Sequence, residues 1–240
     1  MLPTVKAESI KIVRYAAEVS GRIEGVAAMT NLVPTPERRT VLTNASNTIV
    51  TATRALHAIY VTRSQFEDID HRITFGKGKG VDRGFEGIVA VISESTRTSL
   101  ADRVEQNPDY RAIFPNGTDE YTSPTIREDE ELAADLRTSL AGSNLREKDT
   151  FIALIDEVIP VVGPAARELS AGEQQVNRLF QNEINARKVV VDALWEQKRL
   201  VETALGRAGK GLARFIFFDF RKLSDADDSA SPEPGNVPTP

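Results

Sequence analysis

The stretch Leu42-Thr43-Asn44-Ala45-Ser46-Asn47-Thr48-Ile49-Val50-Thr51-Ala52-Thr53-Arg54-Ala55-Leu56-His57-Ala58-Ile59 carries a regular apolar repeat. Its apolar members Leu42, Ala45, Ile49, Ala52, Leu56 and Ile59 are spaced alternately by three and four residues, the period of a helix that buries one face. The same register continues through Arg63, Phe66, Asp70 and Ile73, so the seam carries two charged intrusions. Thr35-Pro36-Glu37 supplies a capping residue, a proline at the first helical position and an early acid. The run Gly76-Lys77-Gly78-Lys79-Gly80 reads as the helix end, because three glycines weaken helical order. A helix of about 40 residues, roughly 60 Å long, belongs to an elongated bundle or coiled coil.

A second long helix is expected over about 165–205, entered at Gly163-Pro164 and closed at Gly206. Phe180, Ile184, Val191, Leu194, Val201 and Leu205 form its seam, with Arg187 and Lys198 filling the remaining seam positions. Shorter helices are expected over 5–29, 81–106, 126–140 and 147–162, the last ended or kinked at Pro160. Residues 107–125 hold Pro108, Pro115, Asn116-Gly117 and Pro124 and read as a connection, ordered by Tyr110, Ile113, Phe114 and Tyr121. It joins halves of roughly 1–106 and 126–223 in a single elongated bundle. Pro34 to Gly76 and Pro164 to Gly206 span equal lengths, an outline compatible with a duplicated helical hairpin. Residues 224–240, rich in Asp, Ser and Pro, are expected to be a disordered tail.

Composition closes off much chemistry. The 240 residues include no cysteine and two histidines, which excludes disulfide scaffolds, thiolate nucleophiles and cysteine-based metal sites. A net charge of −5 argues against a nucleic-acid-coating surface. Nothing approaches the roughly 20 apolar residues of a membrane span, and the expected location is cytoplasmic, with a virus particle as an alternative.

Candidate sites are few. Lys77 and Lys79 resemble a phosphate loop only superficially: a Walker loop needs a preceding strand and a Ser or Thr after its lysine. They are left as helix-end cations with a minor anion-contact role, shared with Arg83. A weaker nucleic-acid contact would use Lys77, Lys79, Lys210 and Arg214. Asp68 and His71 have the i, i+3 spacing of carboxylate–histidine metal pairs, with Asp70 beside them. His57 lies about 21 Å earlier on the same helix and cannot complete such a site. The seam charges Arg63, Asp70, Arg187 and Lys198 are expected to pair across antiparallel helices and fix register, to snorkel to the bundle edge, or to line a ligand cavity. Phe215, Phe217, Phe218 and Phe220 concentrate four of the ten phenylalanines before the tail, either capping the core, docking on a protein partner or a second copy, or resting on a membrane surface. No nucleophile motif, cofactor motif or catalytic constellation is present.

The order of a long helix, Asp82-Arg83-Gly84-Phe85, then Ile113-Phe114-Pro115-Asn116-Gly117 before an acidic helix is similar to that of a loose group of uncharacterised bacterial helical proteins. The resemblance covers the middle third and implies no activity. The resulting expectation is an all-α, non-enzymatic structural or interaction protein that self-associates, with a metal- or ligand-binding bundle using Asp68, Asp70 and His71 as the alternative.

Overall fold

A computed structural model describes residues 1–33, 35–100, 107–206 and 209–223. The chain is all-α, as the periodicity requires, with no strand among the described residues. Its helices are α1 (Ser9–Ala28), α2 (Pro36–Gln65), α3 (His71–Leu100), α4 (Pro108–Ile113), α5 (Asp119–Thr122), α6 (Asp129–Gly142), α7 (Lys148–Leu205) and α8 (Lys210–Ile216). A π-turn, Phe66–Asp70, joins α2 to α3, and a 3-10 turn, Phe220–Lys222, follows α8. The expected tail at 224–240 lies outside the described residues.

Two helix boundaries differ from the sequence reading. The helix does not end at Gly76–Gly80, because α3 runs through all three glycines. They cost roughly 1 kcal/mol each in helix propensity. That cost is offset further along, where Phe85, Val89 and Ile92 of the same helix are fully buried. Likewise α7 is one helix of 58 residues containing Pro160 and Pro164, not two helices divided there. Each proline removes an N–H donor, while Ile155, Val162, Ala165, Ala166 and Leu169 bury the face on either side. Neither Gly76 nor Pro164 therefore marks a helix boundary, and the outline of a duplicated hairpin loses two of its four landmarks.

The fold divides into a terminal unit, Met1–Ser64 with the chain from Leu179 onward, and a central unit, Gln65–Arg178. Residues 107–125 lie inside the central unit rather than between units.

In the terminal unit, α1 contributes Ile12, Tyr15, Val19 and Ile23, α2 contributes Leu42, Ile49 and Leu56, and α7 contributes Val190, Leu194 and Val201 to one core. Helices α1 and α2 meet at two serines, Ser20 and Ser46, whose hydroxyls are 2.6 Å apart. Gly206, at φ 66°, ends α7 in the left-handed conformation a glycine cap adopts, and its N–H donates to Glu202 O at 3.1 Å.

In the central unit, Phe85, Val89 and Ile92 of α3 pack with Leu136 and Leu140 of α6 and Phe151 and Ile155 of α7. Asn107 caps α4, its Oδ1 accepting from Asp109 N–H at 2.9 Å. Tyr110, Ile113, Phe114 and Tyr121 are buried in this core, so the proline-rich stretch is ordered by burial. A smaller cluster gathers Ile126, Val162, Ala165, Ala166 and Leu169.

Candidate functional site

Two of the four seam charges come together. Arg63 of α2 and Arg187 of α7 both bind Glu183, a carboxylate with no exposed surface. Arg63 Nε donates to Oε2, and Arg187 Nη2 donates to Oε1. Ser9, at the start of α1, accepts from Arg187 Nε at 2.5 Å and donates to Glu183 Oε1. Burial alone would raise the Glu183 pKa, but hydrogen bonds from Ser9, Arg187 and Arg63 hold it below the usual carboxylate value. The network ties three helices of the terminal unit.

The other two seam charges stand apart. Lys198 lies 3.9 Å from Glu202 on its own helix and over the Trp195 ring at 5.7 Å. Asp70 closes the π-turn with an exposed side chain, its carbonyl accepting from Thr74 Oγ1 at 3.0 Å. The acid opposite Arg63 is thus Glu183, which heptad reading passed over because it stands one place before the seam residue Ile184.

Asp68, Asp70 and His71 do not converge with further ligands: among the described residues no group of three His, Asp or Glu side chains could hold a metal ion. Asp68 and Asp70 are exposed, while His71 is half-buried. His71 stacks on Phe75 with ring centroids 6.5 Å apart, and its Nε2 is buried without a hydrogen-bond partner.

The phenylalanine-rich segment divides residue by residue. Phe217 joins Ile216 and Ala213 in the terminal core at 6% exposure. Phe218 and Phe220 pack on Tyr15, with ring centroids 4.8 and 5.4 Å away, and Tyr15 Oη donates to Phe218 O at 2.8 Å. Burial pushes the Tyr15 pKa above its ordinary value. Phe215 is 55% exposed beneath the Arg22 guanidinium, which also covers Phe218.

The most site-like feature lies in the central unit, around the glycine run. Phe75, Gly78, Lys79 and Asp82 occupy one face of α3 at i, i+3, i+4 and i+7. With Ile126 and Arg127 before α6, and Leu169 and Glu173 of α7, they line a cavity of about 410 Å³. Ile126, Leu169 and the bare backbone face of Gly78 are buried and form an apolar floor. Arg127 and Glu173 form an ion pair at the rim. Lys77 pairs with Glu168, whereas the Lys79 ammonium lies 4.8 Å from the centre of the Phe75 ring and has no carboxylate partner among the described residues.

Asp82 links this cavity to a buried acid. Its carboxyl lies close enough to that of Asp129 to raise the Asp129 pKa. Asp129 is 2% exposed, and its Oδ2 has no partner. Burial, then Asp82, Glu86 and Glu128, push its pKa up to about 7. An apolar cavity with unpaired charges and a perturbed acid is the usual form of a small-molecule site. Reading the glycines as a helix end hid it, because the shared face of Phe75, Gly78 and Asp82 exists only if the helix continues.

Comparison with protein-family models, curated proteins and solved structures finds no match. Among the described residues, no helix is long and apolar enough to cross a membrane.

Proposed function

We propose that this chain is a non-enzymatic interaction protein that associates with copies of itself through the α2–α7 face of the terminal unit. One observation carries the reading. Ala52, Ala55 and Ile59 of α2, with Ala186 and Val189 of α7, line an open groove that no charged side chain enters. Val189 is 58% exposed and lies in this groove, so it belongs to a continuous apolar surface rather than standing alone. By helical spacing, Val41 and Leu200, both exposed, lie on the same faces about three turns away, extending the apolar stripe.

The occupant is a second copy. Two chains each carrying a net charge of −5 meet most favourably where neither presents charge. The groove's only polar side chains, Asn182 and Asn185, each offer both a donor and an acceptor, so identical amides can pair across a two-fold axis. The alanines let a partner helix approach closely. The reading places the chain in a cytoplasmic assembly or a virus particle.

Light scattering over a concentration series tests it. The wild type is expected to be a dimer or larger, and the double variant Ala55→Asp, Val189→Asp, both at exposed positions, a monomer with unchanged helicity. A wild type that stays monomeric, or a double variant that still associates, overturns the reading.

A further inference from the structure

We propose that the central unit's cavity binds a small zwitterion with an apolar body, of the apolar α-amino acid class: its carboxylate on Lys79, its ammonium on Asp82, and its side chain on Phe75, Ile126, Leu169 and the bare face of Gly78. The site lies wholly within the central unit, so the inference is independent of self-association in the terminal unit.

Two charges in the cavity lack opposite partners among the described residues. Lys79 has the Phe75 ring beneath its ammonium and no carboxylate within reach among them. Asp82 faces another carboxyl, Asp129, and no cation pairs with it among the described residues. The two stand at i and i+3 on α3, a spacing at which opposite charges commonly pair, yet no ion pair joins them. The neighbouring charges are already matched, Lys77 with Glu168 and Arg127 with Glu173. One cavity therefore presents one unmatched cation and one unmatched anion.

A simple carboxylate would satisfy Lys79 and leave Asp82 facing Asp129. A simple amine would satisfy Asp82 and leave Lys79 without an anion. A molecule carrying both charges completes both. Its body has an apolar floor to rest on: Gly78 carries no side chain there, and Leu169 and Ile126 stand 3.6 and 3.7 Å from where its Cβ would be. The volume of about 410 Å³ falls in the range of small-ligand pockets.

Isothermal titration calorimetry on the full chain tests this with five probes: phenylalanine, leucine, 3-phenylpropanoate, phenethylamine and glycine. Phenylalanine and leucine are expected to bind about tenfold more tightly than either singly charged analogue, the worth of one charge-assisted contact. Glycine, lacking a body, is expected to show no saturation. Lys79→Gln should erase the preference for phenylalanine over phenethylamine, and Asp82→Asn the preference over 3-phenylpropanoate. Each variant is read as a ratio of affinities, which a general loss of stability does not imitate. Gly78→Leu, placed on the floor, should abolish binding of all probes while circular dichroism stays unchanged. No saturable heat from phenylalanine or leucine, a singly charged probe that binds equally or better, or preferences unmoved by the two charge variants would overturn the proposal.

Discussion

Arg63 and Arg187, distant in sequence and on different helices, hold opposite oxygens of the same carboxylate, that of Glu183. The arrangement places two partly buried cations against one fully buried anion, with Ser9 bridging one arginine to the acid. Removing one member of a buried ion network strands the others, so Glu183→Ala should cost about 3–5 kcal/mol. Urea denaturation followed by circular dichroism measures it. Replacing Arg63, Glu183 and Arg187 together by Met, Leu and Met should cost far less, since no charge is left unpaired. The lowered pKa of Glu183 means its contribution is present above its unfolded value and lost as pH falls through the folded one. Glu183→Gln should therefore flatten acid denaturation in that window.

Asp129 acts in the opposite sense. Its folded pKa of about 7 exceeds the unfolded value near 4, so between these the folded state holds a proton that the unfolded state does not. Its contribution to stability is full at low pH and falls as pH rises toward 7, with a slope of up to roughly 1.4 kcal/mol per pH unit. Asp129→Asn removes that slope. The variant should gain melting temperature over the wild type at pH 8 and gain little or none at pH 4. Equal shifts at both values would refute the assignment.

Three glycines in α3 offer a direct test of its continuity. A Cβ at Gly76 or Gly80 meets nothing within 4 Å, and at Gly78 it makes ordinary contacts. Each Gly→Ala substitution should raise stability by up to about 1 kcal/mol, the propensity difference in a helix interior. A helix that ended at Gly76 would gain nothing at Gly78 or Gly80. Gly163 behaves differently, because the Glu130 carboxylate occupies the space of its Cβ. That carboxylate is the half-exposed end of a flexible side chain and can swing aside, so Gly163→Ala should gain less than the other three, and a Glu130→Ala background should restore the full gain.

The phenylalanines near the C-terminal end should separate cleanly. Phe217→Ala should cost about 3–5 kcal/mol, as for other buried aromatics. Phe215→Ala should cost under about 1 kcal/mol, the worth of its contact with Arg22. Differential scanning calorimetry of the two variants checks the ordering.

The sequence made the helical class and the principal faces legible, because Leu42, Ala45, Ile49 and Leu56 repeat at helical spacing and are all buried. Boundaries were harder. Intrinsic propensity reads Gly76–Gly80 and Pro160–Pro164 as breaks, yet burial on neighbouring turns outweighs it, and no local pattern reports that balance. Arg63 and Arg187 were recognisable as misplaced charges, but Glu183 gained its meaning only when three helices met. The cavity at Lys79 and Asp82 was illegible for the same reason: most of its wall comes from residues 124–127 and from Leu169 and Glu173, far along the chain.

The division into units has a consequence for biosynthesis. The central unit is one uninterrupted stretch, Gln65–Arg178, enclosed in sequence by the two parts of the terminal unit. On the ribosome, α1 and α2 emerge before the central unit but lack Val190, Leu194, Val201 and Phe217, which complete their core. The inserted stretch is fully translated before those residues exist. The central unit thus has all its packing partners before α1 and α2 have theirs, and α1 and α2 must keep Ile12, Tyr15, Leu42 and Ile49 from aggregating until the later part of α7 and α8 are made.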